Sequence, residues 1–123
     1  MVVYYVEDTS NAVTVVPRRE QWNLLSRRLS PAQFNNVVAY INSLIGDSDI
    51  ETSNWMPKDP NWEGTPLQVL FDVAARKNFE LSAQLFGLMV FYTFMTREDH
   101  WITGRFFSDG EPMRGRTYFK RRY

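Results

Sequence analysis

The sequence predicts an α+β domain, and three observations carry that reading. The N-terminal segments alternate and are rich in Val and Tyr, and the C-terminal ones are aromatic and β-branched. The middle carries apolar stripes at helical spacing, opened by helix-capping signals. The two kinds of segment are segregated, in the order ββ-αααα-ββ. Runs of strands followed by runs of helices argue α+β rather than alternating βα units. The expected architecture is a four-helix core flanked by an N-terminal and a C-terminal β-hairpin. The hairpins either join into one antiparallel sheet or remain separate ribbons. A chain of 123 residues suits one domain over 1–123, long enough to bury about two-thirds of its unfolded surface without staples.

The first hairpin is read from residues 1–6 and 12–16, alternating segments separated by Glu7-Asp8-Thr9-Ser10-Asn11, which has turn chemistry. A first helix is expected near Pro17, a residue suited to the first helical position, with Trp22, Leu25 and Leu29 on one face. The second helix opens on Ser30-Pro31-Ala32-Gln33. This is a capping box in which the serine oxygen accepts a backbone N–H and Gln33 reaches back. Phe34, Val37, Val38, Ile41, Leu44 and Ile45 form its apolar stripe, and Gly46 ends it. A second box, Thr65-Pro66-Leu67-Gln68, predicts a third helix with Leu67, Leu70, Phe71 and Ala74 inward. Asn78 breaks or caps before a fourth helix from Phe79 to about Thr96, apolar nearly all round and therefore central to a core or shared with a second copy in a homodimer. Residues 100–107 and 113–122 predict the closing hairpin, with Gly110 free to take a positive φ at its turn.

Composition excludes several classes. At 44% hydrophobic and 15% aromatic residues, the chain is globular in character. It has no cysteine, which rules out disulfides, thiolate nucleophiles and Cys-ligated metals and favours a reducing compartment, the cytoplasm. The N-terminus has no basic region and meets acid at Glu7, unlike a secretory signal. The run from Leu85 to Met95 is too short to span a bilayer, so no membrane partner is expected.

Catalytic and cofactor motifs fail one by one. The single histidine, His100, sits between Asp99 and Trp101, and successive residues seldom orient one another, so it reads as a helix-end or turn residue. Gly-x-Ser-x-Gly and the P-loop pattern are missing. A calcium loop starting at Asp47 would need Gly and Glu where Thr52 and Lys58 stand, so neither a metal nor another cofactor is expected. The chain therefore reads as a non-enzyme.

Two regions remain as candidates for binding. The first is the stretch between Gly46 and Thr65, full of turn formers, longer than ordinary connections and carrying Trp55 and Trp62. Asp47, Asp49, Glu51, Asp59 and Glu63 against Lys58 leave it a net charge of −4. Two tryptophans on a loop stiffened by Pro57 and Pro60 suggest anchors for another protein. The alternative is that they cap the core, one inward and one partly outward. The helix at 31–45 has no charged residue, and its outer face, with Asn35 and Asn42, resembles an interface or a merely polar surface.

The second region is the C-terminal hairpin. Arg105, Arg114, Arg116, Lys120, Arg121 and Arg122 against Asp109 and Glu111 leave residues 101–123 with a net charge of +4. In an extended strand Arg114, Arg116, Tyr118, Lys120 and Arg122 share one face, so cations can hold phosphates while Tyr118 stacks a base. The alternative is an edge strand whose cations block aggregation, with Tyr118 and Phe119 packed inward. The preferred expectation is a non-enzymatic protein of adaptor or inhibitor type that docks on another protein. Nucleic-acid binding through the C-terminal hairpin is the alternative.

Overall fold

The computed structural model describes residues 2–53, 56, 61–104, 107–108, 111–112 and 116–121, with backbone alone at 107–108 and 111–112. It is a small α+β domain. The elements, in chain order, are β1 (Val3–Tyr5), α1 (Arg19–Ser26), α2 (Pro31–Ile45), β2 (Ile50–Thr52), a π turn (Leu70–Ala74), α3 (Phe79–Thr96), β3 (Trp101–Gly104), β4 (Phe107–Ser108), β5 (Glu111–Pro112) and β6 (Thr117–Lys120).

Helices α2 and α3 begin and end where their caps dictate. Both halves of the Ser30–Gln33 capping box are formed, at 3.1 and 2.9 Å, and Gly46 closes α2 with a φ of 51°. The Asn78 side chain accepts from the Leu81 N–H at 3.1 Å and starts α3 at Phe79. Helix α1 starts two residues later than Pro17 would place it. Its N-cap is Arg18, left-handed at φ 52° and with no side-chain cap.

The third expected helix is present in shortened form, turns leading into the π-helical stretch Leu70–Ala74, with Leu67, Leu70 and Ala74 buried. Thr65 Oγ1 donates to the Trp62 carbonyl at 2.7 Å and accepts from the Leu67 N–H, while Gln68 turns forward to Asp72. Half of the expected capping box is thus formed, with Thr65 accepting a backbone N–H from Leu67, while Gln68 is engaged elsewhere. The Ala75 N–H reaches the Leu70 carbonyl, and Arg76 and Lys77 then take left-handed φ values of 50° and 64°, which stop the turn.

The sheet corrects the expectation of flanking hairpins in one antiparallel sheet. It is mixed, in the order β1-β3-β6-β2. Residues 12–16 form no strand. Val13 gives one N–H to the Val3 carbonyl at 2.7 Å, and β1 instead pairs in parallel with β3, Val3 opposite Trp101. The C-terminal hairpin is present as β3 against β6, with a separate pair, β4 and β5, further out. Gly110 lies outside the described residues. Strand β2, within the connection read as full of turn formers, is antiparallel to β6, Ile50 opposite Phe119.

Register decides what faces the core. Thr103 lies opposite Tyr118, and Tyr118 is buried while Phe119, one residue on, is exposed. The core sits between this sheet and α3, whose residues from Leu85 to Met95 are buried except Gly87 and Tyr92. Phe94 meets Trp101 edge-on at 4.6 Å and Tyr118 face-on at 4.0 Å. On the opposite flank Trp22, Phe34 and Tyr92 pack together within 5.9 Å, joining α1, α2 and α3. No described helix is long and apolar enough to cross a membrane.

Candidate functional site

A groove of about 930 Å³ opens along the N-terminal half of α3. Its floor follows from two small residues one helical turn apart, Ala83 and Gly87, beside Phe86 and Phe91. At Gly87 a Cβ would meet nothing within 4 Å, so the missing side chain leaves open space. One wall comes from the connection after β2, where Trp62 packs on Phe86 at 5.5 Å and Met56 is buried. The other comes from the segment around the π turn, through Phe71 and Asp72, and from Pro17 and Arg18 ahead of α1.

Phe79 stands at the lip. The Asn78 cap makes it the first residue of α3, a position without a preceding turn to cover it, and it is 78% exposed. Asparagine and glutamine amides from Asn61, Gln68 and Gln84 line the same groove. Such a surface combines aromatic contact area with hydrogen-bonding groups.

At the sheet end lies Arg116. Its guanidinium covers the Tyr5 ring at 5.6 Å and the Phe91 ring at 5.5 Å, while its backbone N–H is held by the Ser53 hydroxyl at 3.0 Å. Glu63 and Asp72 are the acids of the lining, Arg18 and Arg116 its cations.

The far end of α3 is closed by a polar strut. Arg97 grips the Asp99 carboxylate through Nε and Nη2 at 3.0 and 2.9 Å, and gives Nη1 to the Asn42 amide oxygen at 2.9 Å. Asp99 also accepts from the buried Trp101 Nε1 at 2.6 Å, with Lys120 Nζ at 3.7 Å. Burial works against this carboxylate. Hydrogen bonds from Arg97 and Trp101, with the charges of Arg97 and Lys120, outweigh it and hold the pKa below the ordinary 3.8. His100 stacks on Tyr4 at 5.8 Å, its Nδ1 3.0 Å from the tyrosine hydroxyl.

Of the residues read from sequence as protein-docking candidates, Trp62 alone among the described ones lines the groove, half-buried; Trp55 lies outside the described residues. Asp47 and Asp49 are exposed at the entry to β2, and Glu51 accepts from Ser48 Oγ at 2.9 Å. Asn35 is exposed on α2, and Asn42 belongs to the strut. Of the nucleic-acid candidates, Arg105, Arg114 and Arg122 lie outside the described residues. Tyr118 is 1% exposed, stacked on Phe94, and offers no face to a base, which corrects the expectation that it would. Lys120 sits at the strut and Arg116 in the groove.

Sequence reasoning passed over Phe79 and Phe71 as site residues. For Phe79 the signal was available, because a residue directly after an N-cap points away from the helix body. For Phe71 it was not, because a helix expected at that place turns it inward. No protein-family model, curated protein or solved structure matches the chain.

Proposed function

We propose that this chain is a non-enzymatic binding protein, of adaptor or inhibitor type, that docks a segment of a partner protein into the groove along α3. The observation that carries the reading is Phe79, 78% exposed at the lip of an aromatic-lined groove. A phenylalanine left this open forgoes about 1.5–3 kcal/mol of burial, which a docked partner recovers. Trp62 on the opposite wall supplies a second aromatic anchor, and such residues dominate binding energy at protein interfaces.

The test is Phe79→Glu. An acid in the first turn suits the helix dipole, so the variant keeps or slightly gains stability while losing the apolar anchor. Wild type and variant, immobilised and exposed to host lysate, are compared by quantitative mass spectrometry, with thermal melts alongside. The expected result is a partner retained by wild type and lost from a variant that melts normally. Identical retention on both would remove the groove as the docking site.

A further inference from the structure

The groove holds one cation whose environment is unusual. Arg116 is half-buried, its guanidinium laid over Tyr5 and Phe91, and among the described residues it makes no ion pair and its side chain donates no hydrogen bond. The contrast with Arg97 is direct. That guanidinium also covers a ring, Trp101 at 5.9 Å, yet spends its N–H groups on Asp99 and Asn42. Ring faces within cation–π distance hold a guanidinium by electrostatic attraction and leave its N–H groups to donate, as a planar fork suited to carboxylate or phosphate.

We infer that Arg116 is the groove's specificity anchor, pairing with a carboxylate on the docked segment, so that the partner is an acidic peptide with apolar anchors. This rests on the docking function proposed above and names the chemistry of its partner. Further cations stand nearby, although Glu80 directly follows the lip residue Phe79. Arg18 also lines the groove, Arg76 and Lys77 immediately precede the lip residue Phe79 and its cap, and none of these three makes an ion pair among the described residues. A carboxylate fits better than a phosphate backbone. The walls are largely aromatic, and Glu63 and Asp72 in the same lining would repel a polyanion while leaving room for one acid at Arg116.

A displayed library of random twelve-residue peptides, selected on the whole chain, tests this. Selection is run on wild type, Arg116→Met and Phe79→Glu, the methionine keeping an unbranched stem on the rings. The expected wild-type motif has aromatic or aliphatic anchors and one Asp or Glu at fixed spacing. Arg116→Met should select the same anchors without the acid, and Phe79→Glu should lose the anchors. One selected peptide is then synthesised with its acid changed to the amide. In fluorescence anisotropy the amide peptide should bind wild type about tenfold more weakly. It should bind Arg116→Met no more weakly than the acid does. The peptide-side change needs no protein variant to fold. Apolar motifs without an acid on wild type would overturn the role of Arg116 and leave the groove standing. No enriched motif on wild type would overturn both readings. A single-stranded oligothymidine that binds wild type, loses affinity in Arg116→Met and competes with no peptide would overturn the acidic-peptide assignment.

Discussion

At its C-terminal end α3 runs into a closed set of contacts. Phe94 lies between Trp101 and Tyr118, and Arg97, Asp99, Asn42 and the Trp101 indole satisfy one another. Along its N-terminal half the same helix carries an exposed Phe79 and a glycine facing open space, and the groove beside it holds the Arg116 guanidinium, which has no acceptor among the described residues. The two ends share a helix and an aromatic vocabulary, and differ in whether each group has a partner inside the molecule. Stability should be concentrated where the contacts close, and the proposed docking where they do not.

That contrast can be broken by measurement, and the largest effect should come from the phenylalanines. Phe94→Ala should cost about 3–5 kcal/mol, because it empties the centre of the core. Phe79→Ala should change stability by less than about 0.5 kcal/mol. Denaturant midpoints decide it, and comparable losses at both positions would erase the distinction.

The strut comes next. Asp99→Ala leaves the buried Trp101 N–H without its acceptor and should cost about 2 kcal/mol near neutral pH. Its pKa in the folded chain lies below 3.8, so its contribution is fully present above that value and fades as pH falls through the lower folded one. Wild type should therefore lose this part of its stability in acid, and the variant should lack that fall. An equally steep acid limb in both would mean that Asp99 is not the group responsible.

The smallest effect should have the opposite sign. Gly87 lies inside α3 with open space at its Cβ position, so Gly87→Ala should raise stability by about 0.5–1 kcal/mol. A loss would mean that the groove floor is tighter than its geometry indicates.

The sequence was legible where structure is written locally. The Ser30–Gln33 box, Gly46 and Asn78 place α2 and α3 because a cap needs only residues three or four apart. It was illegible where long-range partners decide. Strand β2 is three residues long, has no period to detect, and exists because β6 passes beside it. Residues 12–16 alternate like a strand, yet β1 prefers β3 because Val3 and Tyr5 then share the core with Trp101 and Phe91. The Thr65 box formed only in part, because a capping motif is also a turn motif: Thr65 ties back to Trp62 while it caps Leu67, and Gln68 turns to Asp72 instead of back to Thr65. At the candidate site Trp62 was legible as an aromatic in a long connection. The groove was not, because it depends on how α3 is rotated against walls from three distant segments.

The parallel pairing of β1 with β3 also sets a timetable for synthesis. Val3 pairs with Trp101, so β1 emerges from the ribosome about 5–20 s before its partner exists, at ordinary elongation rates of ~5–20 residues per second. Throughout that interval a Val-Val-Tyr-Tyr-Val run, with high strand propensity and no charge, waits unpaired. Glu7 and Asp8 follow it directly, placing negative charge where a growing stack of strands would have to accommodate it. The turn after β1 thus serves the nascent chain as a guard before it serves the folded one as a bend.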